Sequence, residues 1–337
     1  MNRSCAGFYH DPPIWAGSSP IDWTKSQDPD FDAFRQEVFR QKLDGIAEVR
    51  VTCEGLFAFD FTGWSPGTFP EEKDNQPAPF ELSAEAILNR TLVMNAFLMF
   101  LYTAVFEDSK FMMERMVVTP ELVISLDSLN DDSGMGFGNS RVSHLALSSF
   151  RSTYRSGLPF AMDDRIMTRH LVSLRAVEQA MLGLDGFLKQ GTDDGLLLSD
   201  LCLRASKAYQ DHNYSLALIT NWAVIEQLLQ ATWRRYQEDN SSRDGKKFID
   251  GPRKTRLRDG RTFSSAVIAE MLSFAGYIGH DNYTDLTMVR KSRNDWIHGL
   301  KKTTVADAQL SGSLCDKLML EVKGVKVTNL TGLRIHG

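Results

Sequence analysis

The chain has 337 residues and a formal net charge of −5 at pH 7, and 42% of its residues are hydrophobic and 24% charged. That length is sufficient for two domains, and the ordinary composition excludes a collagen-like, low-complexity or disordered protein. The four cysteines form no C-x-x-C pair, which is typical of a reducing cytosol and argues against a cysteine zinc site. No apolar secretory segment follows the first residues, so we expect a cytoplasmic protein.

The first half of the chain mixes helix and strand patterns. Residues 28–46 carry apolar side chains near helical spacing, which predicts a helix. Residues 47–63, AEVRVTCEGLFAFDFTG, alternate and are rich in β-branched and aromatic residues, which predicts one or two strands. A Pro- and Gly-rich loop at 63–80 and a β-rich segment at 115–129 follow. We therefore predict an α+β domain over residues 1–162, with a sensing, partner-binding or regulatory role.

The most apolar segment is TLVMNAFLMFLYTAVF, residues 91–106. A membrane span needs about 20 predominantly apolar residues, and this run is shorter and contains Asn95. We expect a buried core helix beginning near Ser83, and no membrane association. The glycines of DDSGMGFGNS, residues 131–140, fit no phosphate-binding pattern and predict an acidic loop.

From about Asp163 the pattern becomes helical almost throughout. Six amphipathic segments separated by short connections predict an all-α up-and-down helical bundle over residues 163–325, followed by a C-terminal tail at 326–337. The predicted helices cover residues 163–190, 196–210, 213–237, 263–278, about 284–300, and 306–322. The whole chain is thus an α+β domain followed by a helical bundle.

One segment of the bundle region, residues 243–261, is strongly basic. Its sequence RDGKKFIDGPRKTRLRDGR contains Lys and Arg far in excess of Asp. Gly, Pro and Asp within it favour a flexible charged loop. The other interpretation is an element that contacts RNA phosphates, without reading sequence, through Arg253, Lys254, Arg256 and Arg258.

A second basic cluster, RKSRNDWIHGLKK, lies on the predicted helix at 284–300. Arg290, Asn294 and His298 share one helix face because they are spaced by four residues. Arg293 and His298 are five residues apart and point about 140° from each other on an ideal helix. A long Arg side chain, a distorted helix end or a second subunit must therefore bring them to one phosphate.

These side chains suit RNA cleavage. Histidine transfers protons near neutral pH, and arginine holds phosphate oxygens through its planar fork. RNA supplies its own 2′-OH nucleophile, so the reaction needs neither metal nor cofactor, and the sequence shows no metal-binding pattern. Arg290 and Lys291 are further RNA contacts in this interpretation. The structural alternative is a helix-end His298 bonded to the backbone and surrounded by solvated cations.

The segment LTMVRKSRNDWIHG resembles the R-x(4–6)-H signature of the HEPN superfamily, in which a polar residue, commonly Asn, often follows the Arg. The earlier segment NWAVIEQLL resembles the second conserved helix of that family, and Glu226 occupies its acidic position. The resemblance spans about residues 165–325. It implies a helical bundle, homodimerisation and RNA cleavage that leaves a 2′,3′-cyclic phosphate. It also implies that Arg293 and His298 carry catalysis, while Asn294 and Glu226 orient them or contact substrate.

We therefore expect a metal-independent endoribonuclease, acting as a toxin or an anti-phage defence effector. Its expected partners are substrate RNA, a second copy of the chain bound through the helical domain, and a regulatory or neutralising protein. Two alternatives remain: a non-catalytic HEPN module that binds RNA or nucleotide or serves as a scaffold in a larger complex, and an accessory protein of a nucleotidyltransferase. The presence of Arg293, Asn294 and His298 together favours the enzyme.

Overall fold

The computed structural model describes residues 4–19, 33, 36–68, 80–130, 169–190, 192–243 and 246–328. The chain divides into two compact units, Met1–Leu196 (unit 1) and Leu197–Gly337 (unit 2). The domain boundary predicted between residues 162 and 163 lies outside the described residues, as does the acidic glycine loop at 131–140.

Unit 1 contains an antiparallel sheet of five strands, which confirms that the first half includes a sheet. The chain order of the strands is β1 (Cys5–Tyr9), β2 (Ile14–Ala16), β3 (Glu37–Leu43), β4 (Ala47–Thr52), β5 (Leu56–Asp60), β6 (Ile124–Leu126) and β7 (His170–Val172). In space the sheet runs β3-β4-β5-β1-β6, and all of its pairs are antiparallel. Strands β2 and β7 form a separate parallel pair.

The helix predicted over residues 28–46 is wrong for residues 36–46. Residues 37–43 form β3, an edge strand that pairs with β4 in the register Leu43↔Ala47. The turn between these strands contains Gly45 with φ of 68°, a left-handed conformation that glycine adopts without steric cost. The Asp44-Gly45 pair is a hairpin signal, and pairing with β4 overrides the helical spacing. The one or two strands expected at 47–63 are confirmed, and they are β4 and β5.

The long helix α1 (Phe80–Ser109) forms the centre of unit 1. Of the described helices it alone is long and apolar enough to cross a membrane, yet 67% of its most apolar window is buried inside the protein. Phe97 packs on the sheet residues Phe57 and Phe59, with ring centroids 5.2 Å and 5.8 Å away. Phe100 packs on Phe187 of the next helix, with centroids 5.7 Å apart. These contacts agree with the prediction of a core helix.

The helix predicted from residue 163 begins later than expected. Helix α2 (Leu174–Leu188) starts after Ser173, whose hydroxyl accepts a hydrogen bond from the Ala176 N–H at 3.1 Å. The preceding residues His170–Val172 are extended because they pair with β2. Helix α2 packs against α1 within unit 1. A serine N-cap and a strand pairing therefore set this boundary.

The remaining described chain is mostly helical, which confirms the coarse prediction for the second half. Helix α3 (Thr192–Gln210) crosses the division between the units, and five more helices follow in unit 2. These are α4 (Tyr214–Asp239), α5 (Gly251–Leu257), α6 (Ser265–Phe274), α7 (His280–Gly299) and α8 (Val305–Lys323). A two-residue hairpin, β8 (Ser242–Arg243) with β9 (Lys246–Lys247), precedes α5. Helix α4 packs against α6, α7 and α8, so it organises the core of unit 2.

Candidate functional site

Helix α7 carries Arg290, Arg293, Asn294 and His298 on regular helical backbone. The helix ends only after Gly299, where Leu300 adopts a left-handed conformation with φ of 49°. The Leu300 N–H donates to the Trp296 carbonyl at 2.9 Å, and the Lys301 N–H donates to the Asp295 carbonyl at 3.2 Å. This pattern is a common helix C-terminus. Because the distortion follows His298, it does not bring Arg293 and His298 together within one subunit.

In the sequence, Leu286, Val289, Trp296 and Leu300 lie near one stripe of α7, which predicts that they face the core; this is confirmed for Leu286 and Val289 and wrong for Leu300. Leu286 and Val289 are buried against the rest of unit 2. Trp296 is half-buried, and the Leu300 side chain is 82% exposed. Leu300 leaves the core because it occupies the left-handed cap position rather than another helical turn. The last turn of α7 is therefore open to solvent around His298.

Arg293 and Asn294 form a bonded pair. Arg293 Nη1 donates to Asn294 Oδ1 at 2.9 Å, and both residues are half-buried. The Arg293 Nε atom is buried and has no hydrogen-bond partner among the described residues. The bond to Asn294 holds the guanidinium in place, and its half-exposed side is suited to contact an anion.

The His298 side chain is exposed in the last turn of α7. Within the described part of the chain, its ring makes no hydrogen bond, whether to the backbone, to Arg293 or to Asn294. The interpretation of His298 as a helix-end histidine bonded to the backbone is therefore not supported by a contact. An exposed imidazole is accessible to substrate and to a second subunit.

Glu226 lies on α4, the helix against which α7 packs. Its carboxylate accepts a hydrogen bond from the Ser265 hydroxyl at 2.8 Å, at the start of α6. No ion pair between Glu226 and Arg293 occurs among the residues that the structure describes. The observed contact of Glu226 thus joins α4 to α6, and its predicted role of orienting Arg293 stays a prediction.

The basic cluster RKSRNDWIHGLKK, residues 290–302, is named the α7 cluster. Its one carboxylate, Asp295, pairs with two of its lysines. Asp295 Oδ2 accepts hydrogen bonds from Lys291 and from Lys301, each at 3.1 Å. The bonds from Lys291 and then Lys301 lower the pKa of Asp295 below its ordinary value. Lys291 is therefore already paired with a carboxylate. Arg290, the other RNA contact predicted in this cluster, makes no ion pair with any described residue.

Arg290 lines a shallow surface cleft between α4, α6 and α7, which the sequence alone did not reveal. Tyr283, also in the cleft, donates its hydroxyl to Glu270, and this bond raises the pKa of Tyr283. Trp222 lines the same cleft and is only 4% exposed, as expected of a core residue. Its indole Nε1 is buried without a partner among the described residues. The spacing of Tyr283, Leu286 and Arg290 on one helix face is the sequence signal for this surface.

A polar link fixes α7 to the start of α8. The Ser292 hydroxyl donates to Asp307 Oδ1 at 2.6 Å. Asp307 also forms a capping box with Thr304, in which each side chain accepts the backbone N–H of the other. Burial acts to raise the pKa of Asp307, but the hydrogen bonds from Ser292 and Thr304 outweigh burial and leave the pKa lowered. One partly buried carboxylate thus contributes to the orientation of α7, together with the bonds from Asn282 to Glu321 and from Lys317 to Asp285.

Replacing Asp307 with Ala is expected to lower the free energy of unfolding by about 1–2 kcal/mol, since it removes a helix cap and the link to Ser292. Urea denaturation at pH 7 measures this change. Because the folded-state pKa is lowered, the stabilisation exists above the unfolded pKa and is lost as pH falls through the folded value. Asp211→Ala is the control, since it breaks an exposed pair with Lys207 that is worth less than about 1 kcal/mol. Equal effects of the two substitutions would contradict the structural role of Asp307.

The predicted RNA contacts of the basic segment lie on and after α5. Arg253, Lys254 and Arg256 are exposed on this helix, and Arg258 follows it at the surface. The loop interpretation is wrong at residues 246–247 and 251–257, which form strand β9 and helix α5. Most of the cations of the segment therefore lie on regular secondary structure.

Comparison with protein-family models, curated proteins and solved structures finds no match to this chain. The resemblance to the HEPN superfamily therefore rests on the two segments of α4 and α7 alone. Among the described residues, no group of three or more His, Cys, Asp or Glu side chains is arranged to hold a metal ion.

Proposed function

We propose that this protein is a metal-independent endoribonuclease of the HEPN type. The observation that carries the proposal is the arrangement on α7, where a half-buried Arg293–Asn294 pair lies one turn before an exposed His298. Arginine and histidine at this spacing supply a phosphate-binding group and a proton-transfer group. The exposed end of the helix leaves both accessible to RNA.

The proposal includes a homodimer that shares one active site. No hydrogen bond joins His298 to Arg293 within the described part of one subunit, and the regular helix separates their directions by about 140°. A twofold axis near the last turn of α7 would face one subunit's His298 with the Arg293 of a second copy. Such a site contains two histidines, so one can act as base and the other as acid.

The reaction follows from these groups. The neutral His298 of one subunit removes the proton from the 2′-OH of RNA, and the 2′-oxygen attacks the adjacent phosphorus. The bond from phosphorus to the 5′-oxygen breaks, and the protonated His298 of the second copy donates its proton to that oxygen. Arg293 stabilises the charge that develops on the phosphoryl oxygens. The products are a 2′,3′-cyclic phosphate and a 5′-hydroxyl end.

A biological role follows from this chemistry. An enzyme that recognises RNA through phosphate and 2′-OH groups would attack many RNAs in the cytoplasm, which is the action of a toxin or an anti-phage defence effector. Such an activity requires restraint, and we propose that unit 1 or a neutralising protein partner supplies it.

The proposal is tested by incubating the purified protein with single-stranded RNA in the presence of EDTA. We expect cleavage without added metal and a 2′,3′-cyclic phosphate on the upstream product, detected by mass spectrometry. The His298→Ala protein, purified in the same way, controls for contaminating ribonuclease. Cleavage that requires added metal, or products with a linear 3′-phosphate formed without a cyclic intermediate, would contradict the proposed reaction.

A second candidate function is a non-catalytic RNA-binding module. It is favoured by the exposed cations of the basic segment, which are suited to bind RNA whether or not α7 cleaves it. This candidate predicts RNA binding that persists without any product formation, and the same incubation distinguishes the two.

A further inference from the structure

The described segment from Lys246 to Arg261, named the basic arm here, carries a set of exposed and unpaired cations. No carboxylate of the described residues lies within ion-pair distance of any of them. Two lysines of unit 2 outside the arm are instead paired with carboxylates: Lys207 with Asp211 at 2.5 Å, and Lys317 with Asp285 at 2.9 Å. The unpaired cations of the arm are Lys246, Lys247, Arg253, Lys254, Arg256, Arg258 and Arg261.

The two carboxylates of the arm accept hydrogen bonds from nearby backbone N–H groups and one hydroxyl, and not from the side chains of its cations. Asp250 Oδ1 accepts the Arg253 N–H at 2.9 Å and caps α5. Asp259 accepts the Arg261 N–H at 3.1 Å and the Thr262 hydroxyl at 2.9 Å. Seven cations less these two carboxylates leave the arm with a net charge of +5, in a chain whose net charge is −5. The arm is thus a local positive surface on an acidic protein.

The arm is anchored to α4 rather than free. Trp233 is 1% exposed, and its indole N–H donates to the Leu257 carbonyl at the end of α5, at 2.9 Å. Phe263 stacks on the Trp233 ring, with centroids 5.6 Å apart. At the other end the Phe248 N–H donates to the Ser241 carbonyl at 2.8 Å. These contacts hold the cations on a defined scaffold, which lowers the entropy lost when they bind a partner.

One cation of the arm is itself positioned by an aromatic ring. The Arg253 guanidinium lies over the Phe248 ring, 4.0 Å from its centroid, and Phe248 is 45% exposed. The contact with the ring and a hydrogen bond from Nη1 to the Phe248 carbonyl at 3.4 Å position the guanidinium, and its other N–H groups stay available. A planar fork held in this way is suited to phosphate oxygens.

We infer that the basic arm binds the phosphate backbone of an RNA strand. Several cations along one ordered segment bind a polymer with repeating negative charge more tightly than they bind a single small anion. Arginine, the commonest cation of the arm, favours phosphate through its fork geometry. The inference rests on the proposed function in taking the polyanion to be the RNA that α7 cleaves. The arm then supplies affinity for long strands without reading their sequence.

The test compares two variants with the same change in charge. The arm variant carries Arg253→Gln, Lys254→Gln, Arg256→Gln and Arg258→Gln. The control variant carries Arg40→Gln, Lys189→Gln, Lys207→Gln and Lys317→Gln, which replaces four cations that are paired with carboxylates. The probe is a fluorescent 20-nucleotide RNA with 2′-O-methyl groups, which lacks the nucleophile and so reports binding alone. Thermal melting confirms that both variants are folded.

We expect the arm variant to bind the probe at least about tenfold more weakly near 0.1 M salt, and the control variant to change much less. If each of the four cations contacts one phosphate, the slope of log affinity against log salt becomes shallower by roughly 3, at about 0.7 per contact for a single strand. With cleavable RNA, the same variant is expected to raise KM while kcat is retained.

Three outcomes would overturn the inference: unchanged binding by the arm variant, an equal loss in both variants, or a loss only toward phosphatidylserine vesicles or polyglutamate. The last would identify an anionic membrane or an acidic protein as the partner. Selective loss of probe binding in a protein that never cleaves RNA would support the arm and contradict the proposed function. The binding assay therefore distinguishes failure of the inference about the arm from failure of the proposed ribonuclease function.

Discussion

A heterodimer of one wild-type and one His298→Ala subunit is expected to lose RNA cleavage by more than about tenfold, rather than by about half. In the shared site that we propose, one His298 accepts the proton of the 2′-OH and the other protonates the leaving 5′-oxygen. Removing either histidine removes one of the two proton transfers, each of which contributes roughly 10²–10⁴-fold to the rate. One altered subunit would therefore inactivate the site to which both subunits contribute.

The heterodimer is obtained by co-expressing the two chains with different affinity tags and purifying through both. Initial rates on one RNA substrate are then compared with the wild-type and His298→Ala homodimers, and the latter is expected to show no cleavage above background. A heterodimer with one Lys317→Ala subunit controls for the purification, since Lys317 forms a surface pair with Asp285 away from α7's last turn. Half of the wild-type rate, or a protein that light scattering shows to be only monomeric, would contradict the shared site.

The sequence predicted the helices that carry the candidate site better than it predicted the sheet. The segments that became α4 and α7 have long amphipathic patterns, and Leu286 and Val289 are buried as that pattern requires. Strand β3 was misread because its apolar side chains fit helical spacing equally well, and only its pairing with β4 selects the extended form. Short segments of this kind are decided by tertiary contacts.

Within the candidate site, the limits of sequence reasoning lie in side-chain partners. The helical repeat correctly separates Arg293 from His298, since the backbone stays regular through His298. The i, i+4 spacing of Lys291 and Asp295 indicates that pair, but no pattern in the sequence indicates that Lys301 joins it or that Ser265 bonds Glu226. These contacts depend on rotamers and on the packing of neighbouring helices, which residue spacing alone does not fix.

In the basic segment, composition predicted a loop where the structure has a helix. Its glycines, proline and aspartates predicted a loop, but Pro252 stands in the first turn of α5 and Asp250 caps that helix. These residue types mark helix starts as well as turns. The buried Trp233 then anchors the short helix through the Leu257 carbonyl. A distant tryptophan on α4, rather than the composition of the segment, therefore decides that the arm is ordered.

Acidification is expected to destabilise unit 1 through His10, a buried histidine that directly follows β1. His10 is 2% exposed, and its Nδ1 lies 2.7 Å from the Pro12 carbonyl, so Nδ1 carries the proton. Nε2 lies 2.8 Å from the Tyr102 hydroxyl, which itself accepts the Met116 N–H at 2.9 Å and so donates to Nε2. A second proton on the ring would replace this acceptor with a donor. Burial lowers the pKa of His10 to about 4.

The sign of the effect follows from that lowered pKa. An unfolded histidine titrates near its ordinary value of about 6.5, so the unfolded chain takes up a proton first as pH falls. The stabilisation is therefore present above pH about 6.5 and is lost progressively as pH falls toward the folded value. Between pH 7 and pH 5 this group is expected to remove about 2 kcal/mol from the free energy of unfolding. Carboxylates remain largely ionised over that range, so the change comes mainly from histidines; burial also lowers the pKa of His170, which adds to the loss in unit 1.

Urea denaturation of wild-type, His10→Gln and His212→Gln proteins at pH 7, 6 and 5 tests this expectation. Gln at position 10 does not titrate, so the variant is expected to be less stable at pH 7 but to lose about 2 kcal/mol less on acidification. His212 is exposed, and its substitution is expected to leave the wild-type pH dependence unchanged. If His10→Gln keeps the full loss of stability between pH 7 and pH 5, the acid sensitivity arises elsewhere. A loss that follows only the unfolding of unit 2 would likewise contradict a role for His10, since the hydrogen bonds that fix its tautomer lie within unit 1.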